Sequence, residues 1–556
     1  MKLPRRLVTR LIIACALAPL AYLPPVLISA QNRSGTVEAL SPASLRQWVS
    51  YLASDELEGR GTFSEGLGLA AAYIAEQLRN ARVKPGGDAG SYFQRVTVLG
   101  VRSTNRSTLT VEVNGQTRVF ADGEGVTFSR NVGGKRMFTL DGVEFVGYGL
   151  NLGSNHNDYN GRDVKGKAVV WMGGRGPRSA DPAQTARFLR SRASIAIDEM
   201  GAAASLSPQQ TAGFAPVQNA PAGRGGRGGQ TPEFTTTQRL DAPQAPSITA
   251  SDEFFEFLFS ASGLKYAELK SKSELQEDLP PFTLSGVRLT FNLDADYQVI
   301  STQYTRNVVG IVEGTDPKLK DTYVAFGAHY DHEGYARGPQ PPGTTDRIFN
   351  GADDDASGSA ALIGLAHSFA QRPARRSLLF VWHAGEELGL QGSRYFADNP
   401  VVPLDRIVAQ LNVDMIGRNR DNKETESNTV YTVGADRIST ELHNTLIDAN
   451  AGLPAPLTID FEMNDATDPE RIYYRSDHYS YAAKGIPVIF FFTGLHPDYH
   501  QVTDSADKIN YEKMSRIAQL IFETGRRLAE SDRAPARDFR GPRAGRGANG
   551  KLSVGN

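Results

Sequence analysis

Between residues 41 and 78 apolar positions recur three and four apart, in LRQWVSYLASDELEGR and GLAAAYIAEQL, which predicts helices starting near Ser41-Pro42. From 96 to 150 the pattern switches to alternation, in STLTVEVNG and RVFADGEGVTF, and predicts strands. From Asn307 to about Glu530, continuous apolar runs (NVVGIVEG, TYVAFGAH, SLLFVWHA, RIVAQLNVDMIG, IPVIFFFTG) are interleaved with helix-like stretches (ASGSAALIGLAHSFAQ, GLQGSRYFADN, MSRIAQLIFETGRRLAE). Strands that are apolar throughout and alternate with helices indicate an α/β fold. Its core is a mixed, mostly parallel sheet sandwiched by helices.

Composition refines this picture in a few places. A chain of 556 residues exceeds one ordinary core. With 40% hydrophobic and 22% charged residues and a formal net charge of -2, it has no overall electrostatic pull toward nucleic acid or an anionic membrane. Residues 201–245 are rich in Ala, Gly, Pro and Gln, include RGGRGG at 224–229, and predict a disordered loop. Arg-Gly-Gly runs also occur in RNA-binding segments, but two repeats read as a solvated loop. The end of the chain after Asp532 reads the same way.

The N-terminus places Lys2, Arg5, Arg6 and Arg10 before an apolar stretch from Leu11 to Ile28 and then Ser29-Ala30, the order of an export signal cleaved near Ala30. A retained anchor is the rival reading, weakened by Pro19, Pro24 and Pro25. The single cysteine, Cys15, falls in this segment. The mature chain, periplasmic or secreted, would therefore have no thiolate, and any metal in it must be held by His, Asp and Glu.

In a parallel sheet the ligand crevice lies beyond the carboxyl ends of the strands. The residues that follow the apolar runs are His329, Tyr330, Asp331 and His332; then Glu386-Glu387; then Asp414; then His496 to His500. NGADDDASG, with Asp353, Asp354 and Asp355, opens the helix after the first of these runs. A single histidine after a strand is usually structural, and an acidic run usually caps a helix. Here eight of the nine histidines fall between His329 and His500, among carboxylates that would otherwise repel one another. Two divalent cations sharing a carboxylate would relieve that repulsion and supply hydrolytic chemistry. The donor set suits zinc, and also manganese or cobalt. Adjacent glutamates on a turn point in different directions, so one can bind metal while its neighbour meets the water.

GAHYDH, NGADDDASG, GEELGLQGS, LNVDMIG and DYHQVTDSADKI resemble, in this order, the motifs of the co-catalytic di-zinc exopeptidases of clan MH, which include bacterial leucyl aminopeptidases, aminopeptidase Y, glutamate carboxypeptidase and glutaminyl cyclases. DELEGRGT through SYFQRVTV is similar to the start of the same domain, and YNGRDVKGKAVV with PSITAS to an inserted, β-rich protease-associated domain. The resemblance implies a peptidase domain at 31–139 and 276–532 and the protease-associated domain at 140–275, between the export signal at 1–30 and the disordered tail at 533–556 read from composition. It further implies two zinc ions per chain, one held by His329 and Asp414, the other by Glu387 and His500, with Asp354 between them. Asp331 would orient His329, Glu386 would take a proton from the attacking water, and Tyr499 would donate to the oxyanion.

The expected function is that of a metallo-aminopeptidase acting on peptide N-termini. A carboxypeptidase, with Arg471 and Arg475 gripping a free carboxylate, and a glutaminyl cyclase are alternatives within the family. A receptor-like scaffold is the alternative outside catalysis. His332 and His478 are candidates for the pocket wall and His383 for the packed interior. Peptides are the expected partners, with no nucleic acid and no membrane beyond the export signal, and the oligomeric state is open.

Overall fold

Apolar runs that are hydrophobic on both sides need a cover on each face, and the central sheet has one. The computed structural model describes residues 38–153, 156–182, 185, 188, 189, 191–209, 231–336, 345–545 and 550–554. The export signal, Cys15 and the RGGRGG run lie outside the described residues. The sheet contains Phe93–Asn105 (β1), Phe234–Thr236 (β2), Ala295–Val312 (β3), Tyr323–His329 (β4) and Ser377–His383 (β5). Ile407–Val413 (β6), Thr429–Val433 (β7), Thr458–Asp460 (β8) and Val488–Phe492 (β9) complete it. The spatial order is β2-β1-β3-β5-β4-β6-β9-β7-β8, with Lys84–Pro85 also paired to β3.

The centre, β5-β4-β6-β9, is parallel, with His329 opposite His383 and Gln410 opposite Val488. The flanks β1, β2 and β3 are antiparallel, and β7 runs antiparallel to β9. All four central strands therefore end on one edge, where the residues that follow them converge.

Consecutive strand residues bury into opposite layers. Val308, Val324, Phe380 and Phe491 pack with the helices Pro42–Leu52 (α1), Glu65–Asn80 (α2), Gly358–Gln371 (α3) and Tyr511–Glu530 (α4). Val309, Ala325, Val381 and Phe490 pack on the other face with Phe396 and Tyr481. The helix expected from Ser41 begins there: the Ser41 hydroxyl accepts the Ser44 N–H at 3.3 Å and Pro42 opens α1.

A second sheet of ten strands lies between residues 108 and 293. It corrects the expected boundaries of 140 and 275. Thr108–Val113 and Arg136–Leu140 both pair with Val287–Leu293, so the stretches on either side of the expected insertion belong to it. Period-two alternation announces strands but not which sheet they join.

The Ala/Gly/Pro-rich loop also shrinks. Ala204–Pro208 is a strand between Ala168–Val170 and Ser247–Ala250, because Ala and Ser are small enough for a tightly covered sheet. Residues 234–236 form β2. Nor are the described residues after Asp532 loose: the Asp538 and Phe539 N–H groups donate to the Ile438 carbonyl, and Ala536 N–H to Glu441. Backbone groups, which composition does not register, hold this segment down.

Candidate active site

The loops beyond β4, β5, β6 and β9, together with the start of α3, bring His329, Asp354, Glu387, Asp414 and His500 together. Asp354 lies between the two imidazoles: its Oδ1 is 3.0 Å from His329 Nε2, and its Oδ2 is 3.0 Å from His500 Nε2. Asp414 Oδ1 is 3.7 Å from His329 Nε2, and Glu387 Oε2 is 3.2 Å from His500 Nε2.

Backbone contacts hold these loops. Gly351 has φ 56°, and a Cβ there would lie 2.1 Å from the Asp354 carbonyl oxygen and 2.5 Å from the His332 ring, so only glycine fits. Asp504 accepts the Asp353 and Asp354 N–H groups at 3.0 and 3.1 Å. Asp355 accepts those of Gly358 and Met415 at 2.8 and 3.2 Å. From the N-terminal part of the chain, Arg60, only 1% exposed, donates to the carbonyls of Tyr330 (3.0 Å), Asn350 (2.7 Å), Gly351 (2.9 Å) and Leu52. One buried guanidinium thus ties the loop after β4 and the segment leading into α3 to the end of α1 and places a positive charge near the acidic cluster.

Burial and the concentration of carboxylates shift several titrations. Burial, with Glu387 and Asp414 nearby, pushes the Glu386 carboxyl well up, and burial raises Asp331 to about 6. Burial and Asp354 push Glu387 up as well, but the nearby imidazoles of His332 and His500 outweigh them and hold it at about 2. Burial opposes charge on His500, yet Asp354 and Glu387 raise it to about 11. Protons and divalent cations compete for these atoms.

The donors fit a metal. Ligand atoms within 4.8 Å of one another come from His329, Asp355 and Asp414; from His332, Asp354 and Glu387; and from Glu333, Glu387 and His500. Buried atoms among them, Asp355 Oδ2, Glu387 Oε1 and both ring nitrogens of His332, have no hydrogen-bond partner. His332, Glu333 and Asp355 stand in these clusters without belonging to the expected ligand set. Glu333 Oε1 lies 3.4 Å from His500 Nδ1, on the far side of the ring from the carboxylates. The HYDHEG run was the sequence signal for His332 and Glu333, and DDD that for Asp355.

The other expected residues take these places. His329 Nδ1 is 3.1 Å from the Asp331 backbone carbonyl and 3.8 Å from its carboxylate, so Asp331 orients His329 chiefly through its main chain. Tyr499 stacks on His500, with ring centroids 4.0 Å apart, and its hydroxyl accepts from Arg475 at 3.2 Å. Burial pushes the Tyr499 pKa up, so the hydroxyl keeps its proton. A pocket opens beside His329, Asp354, Glu386 and Asp414, with Met415, Ile472, Phe490, Phe492 and Leu495 on its apolar side.

Several candidates fall outside the pocket. His478, expected on its wall, is buried and stacked on Phe490 at 4.6 Å, and burial pulls its pKa down to about 3. His383 is fully buried, with Nε2 3.0 Å from the Tyr481 hydroxyl. His496 lies 3.2 Å from Asp353, behind the ligand loop. Arg471 pairs with Glu199 of the inserted sheet region, whereas Arg475 lines the pocket. Sequence reading missed Ser476, which donates to Asp414 Oδ2 at 2.7 Å.

Residues 307–525 match the profile of peptidase family M28, and these are the residues that supply the strand ends and all five expected ligands. Over these residues the chain is similar to peptidase family M28. The chain is similar to a probable leucine aminopeptidase from Trichophyton verrucosum (strain HKI 0517), 29% identical over 233 residues, 40% of this chain and 57% of that protein. Leupeptin-inactivating enzyme 1 of Streptomyces exfoliatus is 35% identical over 161 residues, 28% of this chain and 32% of that protein. The chain thus spans about half or less of the length of these curated relatives. An aminopeptidase from Aneurinibacillus sp. strain AM-1 aligns over 92% of this chain and 99% of its own, at 18% identity and a TM-score of 0.45.

Proposed function

We propose that this protein is an M28-like, metal-dependent aminopeptidase that removes N-terminal residues from peptides, with a preference for apolar side chains. The observation that carries the reading is Asp354 with one oxygen 3.0 Å from each of two imidazoles, beside a second glutamate, Glu386, that touches neither. His329 and Asp414 would hold one cation, Glu387 and His500 the other, and Asp354 both, with zinc as the expected ion. When bound, the pair supplies Lewis acidity toward the scissile carbonyl and the attacking water.

The side chains do the rest. Glu386 faces the pocket and takes the proton from the water, a task its raised pKa suits. Tyr499, still protonated, donates to the oxygen that becomes negative, and Arg475 fixes the Tyr499 hydroxyl from behind. The carboxylates lining the pocket favour a cationic α-amine, and Met415, Ile472, Phe490, Phe492 and Leu495 offer an apolar seat for the first side chain.

Arg475 on the pocket wall favours the second reading, a carboxypeptidase, but its guanidinium is already engaged by Glu470 and Tyr499. The inserted sheet is read as a protease-associated domain, and the basic-then-apolar N-terminus as an export signal. A panel of free, N-acetylated and C-amidated peptides, assayed with and without chelator, tests the function. Cleavage of N-acetylated peptides, or full activity in metal-free protein, rules the aminopeptidase out.

A further inference from the structure

One imidazole in the centre is left over by the expected ligand set. His332 is 1% exposed, and neither of its ring nitrogens has a hydrogen-bond partner. A buried imidazole whose nitrogens make no well-directed hydrogen bond is costly, which calls for another partner at the ring. Its Nδ1 lies 2.9 Å from Glu387 Oε1 and 3.8 Å from Asp354 Oδ2. Glu387 Oε1 is buried and without a hydrogen bond as well. At 2.9 Å the two atoms are in ion-pair contact, and with the Asp354 oxygen they surround one point that all three can face.

That point has the dimensions of a cation. Nitrogen and oxygen donors sit about 2.0–2.2 Å from a zinc ion, so two of them on one ion are roughly 3 Å apart. The Glu387 oxygen is at that distance from Nδ1, and the Asp354 oxygen lies in the same cluster within 4.8 Å. The ring is held in place from several sides. Its backbone N–H donates to the Arg60 carbonyl at 3.2 Å, Phe349 and His500 meet it edge-on at 6.5 and 5.6 Å, and Gly351 leaves the room it occupies.

We propose that His332 is a metal ligand, joining Glu387, His500 and Asp354 on the second cation, an inference that rests on the metal-dependent reading above. The two positions then differ in character. The first has one imidazole, His329, among carboxylates, whereas the second has two. An imidazole-rich position favours zinc or cobalt, and a carboxylate-rich one accepts manganese more readily. The second position is therefore the tighter of the two for zinc.

The test uses the full chain, stripped with chelator and titrated with zinc against a chromophoric competitor. X-ray absorption of the zinc-loaded protein counts imidazole nitrogens. Wild type should show two unequal affinities and three imidazoles per two zinc ions. His332→Ala should weaken the tighter step by at least about 100-fold, at or beyond the 10–100-fold cost of losing an orienting partner, and drop the count to two. His332→Asn keeps a side-chain donor that can face Glu387 but removes the imidazole, and it should behave like Ala. It also carries the decision if the Ala variant does not fold. An unchanged imidazole count in either variant, or recovery of the affinity in Asn, overturns the proposal and leaves His332 an orienting partner of Glu387. Wild type that binds no zinc overturns the metal-dependent reading and this inference together.

Discussion

Asp331 accepts the backbone N–H of Glu386 at 3.1 Å through one carboxylate oxygen and the hydroxyl of Thr62 at 2.8 Å through the other. The residue two places after His329 thereby also fixes the start of the Glu386-Glu387 turn, so one residue, through its carbonyl and its carboxylate, sets the relation between a proposed metal ligand and the proposed base. Asp331→Ala should lower kcat about 10- to 100-fold, the usual cost of losing an orienting partner, with both metals retained. Asp331→Asn, whose amide oxygen still accepts the Glu386 N–H, should recover part of the loss. Paired measurements of kcat and metal content check this, and metal loss in the Ala variant would place Asp331 among the ligands.

Glu386 and Glu387 are chemically identical neighbours to which different work is assigned. Glu386→Gln should keep metals and fold and lose at least about 100-fold in turnover. Glu387→Gln, next to His500, should instead lose affinity for one metal and regain part of its activity in excess metal. Metal content, turnover and a thermal melt on both variants decide it. The reversed pattern would exchange the two roles.

Tyr499→Phe keeps the stacking on His500 and removes only the hydroxyl. If that hydroxyl donates to the developing oxyanion, kcat should fall by about 100-fold, corresponding to roughly 3 kcal/mol, with little change in KM. A loss confined to KM would make Tyr499 a wall of the pocket and nothing more.

Arg60 should matter for stability. Arg60→Met strands the carbonyls of Leu52, Tyr330, Asn350 and Gly351, and each buried acceptor left without a donor costs about 1–3 kcal/mol. A loss of at least about 3 kcal/mol is expected in denaturant titration, with Arg60→Lys in between because an ammonium has fewer donors. A Met variant as stable as wild type would mean that water replaces the guanidinium.

The parallel centre of the sheet was legible because its strands are apolar throughout, and the candidate site because its polar residues stand where those runs end. His329 closes β4, Asp414 follows β6 directly and Glu387 stands in the turn after β5, so the ends of the apolar runs point to them. Arg60 was not legible. It lies 270 residues before Tyr330, and nothing local in LEGRGT says that its side chain will be buried under the ligand loops. His332 was read as pocket wall because a ring's neighbours, and not its spacing, decide what its nitrogens meet. The borders of the inserted sheet escaped for a related reason. Thr108–Val113 alternates like any half-buried strand, and only its partner Val287–Leu293 reveals which sheet it joins.

One short strand ties the two sheets together more tightly than a simple insertion would. β2, Phe234–Thr236, leaves the inserted region and pairs with Leu99, Gly100 and Val101 at the outer edge of β1. Excising residues 106–294 would therefore remove more than an appendage, because it would strip this length of β1 of its neighbour and bare its N–H and C=O groups. An uncovered edge of that kind invites pairing with another chain. A trimmed version of the protein that keeps residues 231–240 against β1 should stay monodisperse at concentrations where the fully excised one self-associates.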